Sequence, residues 1–476
     1  MKRALLLIAA AAALAPAGPR PAAAWEAETT HAGLTERAAM ASRLHARLRK
    51  QFAVNYGLLA PLTVPPADAR DLYALLRRYN PIHGYVPDSR GRLTAIGWLV
   101  AGSVIADQPA WFWGNHFYDP TTGKGLDDRT LRSLRARLAA SLGVSRSHQL
   151  IAKHGVAAPD WVLAPQNPMN LSGFLDQYAL AVRARTPNER GRNLAGALVA
   201  AGALLHVLQD MGSPSHVRDD LAAHVENLAP EGAELGSRYE RIAALVDGRL
   251  GVPPARKTIA AKDLRTFYTS LAAVTANRWF SAGTLPASFA VPRRYTSAEI
   301  QALLQRALRR PQPLPTGPLD LVSAARLGGQ ELADPAGVCL ARYQVVAGRV
   351  QFSLDDECMA EQIAAVLPEV AGYSAGLLDW LFRGELTVTD AGAAIEVAPA
   401  GVGLGAGELE LFAEDAAGVR TPLGKATVTG AATGSSAARV AVSVPAGARR
   451  IAALFRGVDA AGQPLAAAGL LDRSEP

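Results

Sequence analysis

The sequence predicts a mainly α-helical protein that ends in a small β-sandwich, and three observations support this fold class. The chain has 476 residues, of which 49% are hydrophobic and 19% charged, enough for a globular protein of two or more domains. Apolar residues recur at helical spacing from the amino-terminal part to about Gly384. Beyond that point, short alternating segments are separated by Gly, Pro and Asp.

The first 24 residues have the three parts of an export signal peptide. A basic start, Met1-Lys2-Arg3, precedes an apolar run over residues 4–15 and a cleavage motif, Ala22-Ala23-Ala24. We therefore expect the mature chain to begin at Trp25 and to be secreted or periplasmic. The apolar run is too short to span a bilayer, and no other stretch approaches ~20 apolar residues, so we expect a soluble exported protein.

The helical part should occupy residues 25–384 and the sandwich residues 385–476. Helical spacing is clearest in residues 37–50, 93–107, 190–211, 264–280 and 360–382. Alternating segments follow at residues 385–388, 407–412 and 438–444 and are typical of strands in a sandwich. The Pro- and Gly-rich stretches 286–292 and 310–318 indicate loops within the helical part.

Charge and cysteine content narrow the class of protein. The formal charge of +7 falls to +4 when Lys2, Arg3 and Arg20 leave with the signal peptide, which is too weak to indicate nucleic-acid binding. The chain has two cysteines, Cys339 and Cys358. In an exported chain, a close pair predicts a disulfide rather than a metal site, with two free thiols as the alternative.

The strongest local motif is His206-x3-Asp210-x5-His216, at the end of an apolar helical segment. His206 and Asp210 are four residues apart and should share one helix face. Gly212 and Pro214 then stop the helix, so a loop can return His216 towards that face. Converging imidazole and carboxylate groups are ligands that zinc prefers. An isolated motif of this kind would more often be a hydrogen-bonded His-Asp pair.

Upstream residues extend this motif. His116 stands in the string Asn115-His116-Phe117-Tyr118-Asp119-Pro120, shortly after Asp107, and Thr30-His31 precedes the first helical segment. All nine histidines lie at or before His224, so any histidine metal site belongs to the first half of the chain. His45 stands in an Arg-rich helical segment and is expected to be solvated, whereas His83, His148 and His154 lack acidic partners at ligand spacing and are not expected to bind metal.

Taken together, these residues resemble the zinc-dependent bacterial phospholipase C family and its relatives, the fungal zinc-dependent single-strand nucleases. The shared features keep the same order: Trp25 at the mature terminus, His31, Asp107, the His116 string and then the spacing His-x3-Asp-x5-His. A segment near Tyr373 is also similar to the family's last helix. The resemblance covers about residues 25–384 and implies a multi-helix bundle of the phospholipase C type.

The resemblance implies three zinc ions. One would be held by Asp107, His116, His206 and Asp210. Another would be held by the amino group and carbonyl of Trp25 with His31 and Asp210, so that Asp210 bridges two ions.

The third ion would be held by His216, a second histidine and a glutamate. Here the sequence departs from the family pattern, because position 236, four residues before the expected glutamate Glu240, is Gly. His224 is the substitute histidine, and Glu226 is an alternative to Glu240.

The implied activity is phosphodiester hydrolysis, because metal ions lower the pKa of bound water and stabilise attacking and leaving oxygens. Asp107 would orient the water. We expect phospholipase C-type cleavage of a phospholipid at a membrane surface, giving diacylglycerol and a phosphorylated headgroup. The alternatives are a nuclease that acts on single-stranded nucleic acid, and a non-catalytic surface or binding protein that is stabilised by metal.

Overall fold

The computed structural model describes residues 27–79, 85–224, 237–246, 251–291, 293–309, 331–429 and 438–473. The predicted signal peptide, Trp25, His83, Glu226 and the loop 310–318 lie outside the described residues. The predictions made for them therefore stay predictions.

The described part of the chain is helical up to residue 309, as the sequence predicts, and all five segments with helical spacing form helices. Segment 37–50 contributes to two helices, because the chain breaks at Ser42, whose hydroxyl donates to the Ala39 carbonyl and accepts from the Leu44 N–H. The α-helices are Ala32–Ala41, Leu44–Phe52, Arg70–Tyr79, Ala95–Ile105, Asp128–Leu142, Val144–Leu150, Ala158–Trp161, Leu171–Arg183, Pro187–Asp210, Leu221–His224, Arg238–Ala244, Leu264–Arg278, Ser297–Arg309 and Asp356–Leu381.

The helix Pro187–Asp210, here called the central helix, positions the strongest sequence motif. It begins with a capping box between Thr186 and Glu189 and is buried from Leu194 onwards. It packs against Ala95–Ile105 and Leu171–Arg183. Among the described residues, this helix is long and apolar enough to cross a membrane, which differs from the expectation that no such stretch follows the signal peptide. Most of the helix is buried inside the protein.

Two glycines bring the central helix unusually close to Ala95–Ile105. A Cβ atom added at Gly202 would lie 1.9 Å from the Leu99 carbonyl oxygen, and one added at Gly102 would lie 2.0 Å from the Val199 carbonyl oxygen. The two backbones therefore touch at a point where a side chain does not fit. This contact places the end of Ala95–Ile105, and the turn after it, beside the last turns of the central helix.

Asp356–Leu381, here called the last helix, is preceded by a three-stranded antiparallel sheet of β3 (Glu331–Ala333), β4 (Cys339–Val346) and β5 (Arg349–Ser353). A two-stranded sheet, β1 (Pro61–Thr63) with β2 (Arg92–Thr94), lies earlier in the chain. Cys339 of β4 and Cys358 of the last helix form a disulfide, which confirms the predicted pairing.

The region after the last helix is a seven-stranded sheet in the order β10-β7-β6-β12-β11-β8-β9, with β6 and β12 parallel and the other neighbours antiparallel. The strands are β6 (Gly384–Asp390), β7 (Ala394–Pro399), β8 (Leu404–Glu414), β9 (Arg420–Thr429), β10 (Ala438–Ala441), β11 (Arg450–Asp459) and β12 (Pro464–Asp472). The edge strands approach each other, since a Cβ atom at Gly424 of β9 would lie 3.3 Å from the Val440 side chain of β10. The prediction of a β-region after the last helix is confirmed. The prediction of a β-sandwich is not confirmed, because the described strands form one nearly closed sheet.

The sheet has two cores. Leu409, Ile451 and Phe455 belong to an inner cluster enclosed by the strands. The alternate residues Phe412 and Leu454 belong instead to the large cluster formed by the helices. Strand alternation thus gives the sheet one face for its own interior and another for the helical part.

Polar contacts strengthen the junction between helices and sheet. Arg383 binds the Asp459 carboxylate with Nε at 3.2 Å and Nη2 at 3.0 Å, and both side chains are buried. Arg183 Nε lies 2.8 Å from Glu410 Oε1. The sheet is therefore packed on the helical part as a continuation of its core. The boundary at residue 384 stays a prediction.

Candidate metal centre

The motif His206-x3-Asp210-x5-His216 folds as its spacing predicts. His206 and Asp210 lie on one face of the final turns of the central helix, and both are completely buried. The chain then turns, with the Ser213 N–H bonded to the Asp210 carbonyl and the His216 N–H to the Ser213 carbonyl. His216 Nδ1 lies 2.8 Å from the His116 carbonyl oxygen, and the Tyr118 N–H donates back to the His216 carbonyl at 3.0 Å. The loop that carries His216 is thus paired with the loop that carries His116.

Asp210 is the centre of the cluster. Its Oδ1 lies 3.2 Å from His31 Nε2, and its Oδ2 lies 3.0 Å from His116 Nδ1 and 3.4 Å from His206 Nε2. Asp107 completes the group, with Oδ1 3.2 Å from His116 Nδ1 and Oδ2 3.4 Å from His206 Nε2. One carboxylate therefore meets three imidazoles that come from three separate parts of the chain.

Two overlapping groups in this cluster can hold a metal ion. One is His31, His206 and Asp210, and the other is Asp107, His116 and His206; within each group, the potential ligand atoms lie within 4.8 Å of one another. All five side chains are buried. They are the five side chains that the family resemblance assigns to the first two zinc positions.

Unsatisfied polar atoms test whether a cation fits here. In the described part of the chain, Nε2 of His31, His116 and His206 and both carboxylate oxygens of Asp107 and Asp210 are buried and make no hydrogen bond of good geometry. Buried polar atoms without hydrogen bonds cost free energy, and buried carboxylates are normally paired or bind metal. A cation between them would satisfy the carboxylate oxygens and Nε2 of His31 and His206, with His116 facing the same carboxylates through Nδ1, so the donor set fits a metal such as zinc.

Three histidine rings are held by their Nδ1 atoms. His31 Nδ1 lies 2.7 Å from Gln209 Oε1, and His206 Nδ1 lies 2.6 Å from the Ser103 carbonyl oxygen. The third ring, His216, is held by the contact of its Nδ1 with the His116 carbonyl oxygen. Each acceptor fixes the tautomer with hydrogen on Nδ1, which leaves the Nε2 lone pair for a ligand.

The sequence analysis missed Gln209 and Ser103. Gln209 is three residues after His206 and one before Asp210, so it lies on the same side of the helix end, and this position was the available signal. Ser103 contributes only a backbone oxygen, which no side-chain motif can reveal.

Burial and the neighbouring charges act against each other on the pKa values of the cluster. Burial raises the pKa of the Asp107 and Asp210 carboxyls, but the nearby His206 and His116 outweigh it and hold both values below the usual range. For His116, burial is outweighed by the two carboxylates, which raise its pKa to about 9. Burial, with the charge of His206, lowers the pKa of His31. Both carboxyls are therefore ionised, as metal binding requires.

The third predicted position is only partly assembled. Glu240 Oε1 lies 4.0 Å from His216 Nε2 and accepts from the hydroxyls of Ser213 and Ser215, at 3.2 Å and 3.0 Å. Glu240 also caps its own helix, since Oε2 accepts from the Ser237 N–H at 2.6 Å. His224 ends the short helix Leu221–His224. Among the described residues, a third group of three ligands is not formed, so the roles of His216, His224 and Glu240 stay predictions.

Other sequence features have structural roles. The string after His116 folds as a turn, in which the Asp119 N–H donates to the Lys124 carbonyl at 2.8 Å. Trp111 and Phe112 pack edge to face against Trp161. His154 pairs with Asp128 at 2.8 Å, in an exposed position. His45 is exposed, in line with the expectation of a solvated side chain, and His148 is exposed as well.

A cavity of about 100 Å³ adjoins the third position. Ser215 and Ser237, which both contact Glu240, lie in its wall. The rest of the wall combines apolar side chains such as Phe280 and Leu354 with the charged side chains Arg238, Arg294 and Asp356. The cavity thus places a pocket with apolar and charged walls beside the third predicted position.

Comparisons with known proteins add little. No family model and no curated protein matches the chain. Among solved structures, the chain is similar to the alpha toxin from Clostridium absonum, with 11% sequence identity over 94% of this chain and 96% of that chain and a TM-score of 0.29. At so low a TM-score, the two backbones do not superpose closely, and the similarity supports no statement about activity.

Proposed function

We propose that this protein is an exported zinc-dependent phosphodiesterase that hydrolyses phospholipids in the manner of a phospholipase C. The observation that carries the proposal is the buried cluster in which Asp210 lies within 3.4 Å of His31, His116 and His206. Buried ligand atoms without hydrogen bonds are expensive in a purely structural role. Their convergence on one carboxylate is therefore best explained by metal binding.

The charge of the cluster suits an anionic substrate. Two carboxylates face the site, whereas two or three divalent cations would bring four to six positive charges. Zinc, when bound, supplies Lewis acidity towards phosphate oxygens and a water molecule of lowered pKa. A phosphodiester carries one negative charge, and the excess positive charge would attract it.

The residues of the chain would divide the remaining tasks. Asp107 is 3% exposed, and its carboxyl is ionised, so its oxygens can accept a hydrogen bond from the attacking water and hold that water in line with phosphorus. Asp210 would hold two cations at a fixed separation. Gln209 and the Ser103 carbonyl would keep the His31 and His206 rings in one orientation. The amino group of Trp25 would complete one ligand set, and the disulfide agrees with export.

The partly apolar cavity beside Ser215 and Ser237 favours lipid over nucleic acid. A single-strand nuclease needs aromatic platforms for stacked bases and a basic track for the backbone. The cavity wall has two aromatic rings, Phe280 and Tyr239, and two cations, Arg238 and Arg294, of which Arg238 is paired with Asp356. The remaining lining is largely aliphatic, and we infer that this part would contact the glycerol and upper acyl portion of a phospholipid.

The direct test incubates the mature protein, loaded with zinc, with phosphatidylcholine vesicles and with single-stranded DNA, each with and without chelator. We expect release of phosphorylated headgroup that the chelator abolishes. Consumption of DNA instead would establish the nuclease alternative, and bound zinc without turnover of either substrate would favour the non-catalytic alternative.

Asp210→Asn tests the cluster itself. The change removes a charge from the group that meets three histidines, so we expect loss of activity by at least ~100-fold and loss of bound zinc. Asp128→Asn is the matched control, because it makes the same change in the exposed His154 pair. Full zinc content and normal turnover in the Asp210 variant would contradict the metal centre.

A further inference from the structure

The hairpin of β4 and β5 extends beyond the core on which it packs. Tyr343 pairs with Phe352 across the strands, and both rings pack against the helical core. The next pair on the same face, Val345 and Val350, lies beyond that core, with exposed fractions of 63% and 46%. The apolar face of the hairpin therefore continues into solvent.

The tip of the hairpin, residues 345–350, has the sequence Val-Val-Ala-Gly-Arg-Val and is exposed throughout. Val346 is 48% exposed and pairs with Arg349, the one charged residue of the tip. Arg349 makes no ion pair with a described residue. Val345 and Val350 lie on one face of the hairpin and Val346 with Arg349 on the other, so apolar side chains are exposed on both faces of the tip. Single exposed apolar side chains are common on protein surfaces, but three at one hairpin tip beside a cation indicate a contact surface.

The base of the hairpin is held firmly, so the tip is presented in one position. Arg342 binds Asp355 at 2.8 Å and Glu357 at 3.2 Å. Gln362 of the last helix donates to the carbonyls of Cys339 and Leu340, at 3.1 Å and 3.0 Å. These contacts and the disulfide tie β4 to the last helix, and β5 is held by its pairing with β4.

The same strand connects the tip with the cavity beside the metal cluster. β5 ends at Ser353, and the next residue, Leu354, lies in the cavity wall. Gly348 at the turn is six residues away, which is about 20 Å along an extended strand. A surface that holds the tip would therefore lie within about 20 Å of the cavity wall.

We propose that residues 345–350 insert into the headgroup region of a phospholipid bilayer and hold the enzyme at its substrate. The substrate part of this inference rests on the proposed function, whereas membrane binding by the tip does not. A stable protein interface usually needs twenty or more residues per partner, and the tip offers six. Valines enter the apolar edge of a bilayer, and Arg349 complements anionic lipid phosphates.

The test measures binding of the full mature chain to vesicles of phosphatidylcholine, with and without phosphatidylglycerol, in chelator to prevent turnover. The variant Val345→Ser/Val346→Ser/Val350→Ser should weaken binding by at least about tenfold, because three buried valine side chains are lost. The control Met40→Ser/Leu59→Ser/Val144→Ser changes three side chains elsewhere that are at least as exposed, at 65%, 68% and 63%, and should bind like the wild type.

Arg349→Gln separates the electrostatic part of binding. One cation near an anionic surface contributes a factor of about five, so the loss should appear with phosphatidylglycerol and be absent with phosphatidylcholine alone. A polarity-sensitive dye on Val346→Cys should shift to the blue on vesicle addition, whereas the same dye on Val144→Cys should not.

Several outcomes would overturn the inference. These are no vesicle binding by the wild type, equal binding by the valine variant, or a dye at position 346 that stays in water. Sedimentation in which the wild type self-associates and the valine variant does not, with vesicle binding unchanged, would assign the tip to a second copy of the chain. If vesicle binding requires the tip valines but no headgroup is released, this inference stands and the proposed function is contradicted. If headgroup is released but the valine variant binds vesicles like the wild type, the proposed function stands and this inference is contradicted.

Discussion

Gln209 offers a sharp test of the metal centre, because it touches the cluster without being a ligand. Its side chain is completely buried, with Oε1 2.7 Å from His31 Nδ1 and Nε2 3.1 Å from Thr35 Oγ1. Gln209→Met keeps the length and shape of the side chain and removes the amide. The His31 ring then loses the acceptor that fixes its tautomer and orientation.

The expected cost follows from these contacts. A buried donor that loses its acceptor costs about 1–3 kcal/mol, and the loss of a residue that orients a metal-binding histidine typically weakens metal affinity by about 10–100-fold. We therefore expect zinc affinity to fall by about that factor. Because the amide does not touch the metal, stoichiometry at saturating zinc should stay the same.

Competition with a chromophoric chelator gives the zinc affinity, and circular dichroism confirms the fold. Thr35→Val is the matched control, since it removes the outer partner of the same amide and leaves the contact between Gln209 and His31. It should lower the affinity by no more than a few-fold. Wild-type affinity in a folded Gln209→Met protein would show that Gln209 does not orient His31, and would refute the reasoning.

Three further predictions concern the scaffold. A chain that ends at Gly384 should unfold or aggregate, as light scattering would detect, because it exposes the surface now covered by Phe412 and Leu454; a monomeric, zinc-binding fragment would contradict this. Replacing both cysteines by Ser should lower the free energy of unfolding by roughly 3 kcal/mol in urea titrations and leave zinc binding intact. Partial burial and three neighbouring aspartates raise the pKa of Asp219 to about 6 from 3.8, so its ionisation destabilises the fold as pH rises through that range. Asp219→Asn should therefore stabilise the protein at pH 7.5 but not at pH 3.5, by less than about 1 kcal/mol because solvent still reaches the side chain and screens its charge, with thermal denaturation as the measurement.

The elements that the sequence predicts well are those with local causes. The central helix has a capping box at Thr186 and Glu189 and an apolar face that continues to Asp210, so its spacing alone predicts it within a few residues. The return of His216 follows from Gly212 and Pro214, which stop the helix. Such features depend on neighbouring residues, and the sequence contains all of them.

What the sequence could not supply depends on contacts between distant segments. The single nearly closed sheet requires β6 to pair in parallel with β12, which lies about eighty residues later, and strand alternation does not specify that pairing. The shared core with the helices arises because β8 and β11 each present a second apolar face. An alternating pattern reports that a strand has a buried face, but it does not reveal what covers the opposite one.

The candidate metal centre depends on both local and distant contacts. Its five side chains come from three parts of the chain, and their convergence depends on the contact between Gly102 and Gly202, where the two helices touch. That contact brings the Ser103 carbonyl within 2.6 Å of His206 Nδ1 and sets Asp107 opposite Asp210. A side chain at either glycine would separate the helices and draw the two carboxylates apart. The cluster therefore requires these two glycines as well as its histidine and aspartate side chains. The motifs that predict metal binding from the sequence do not include the glycines.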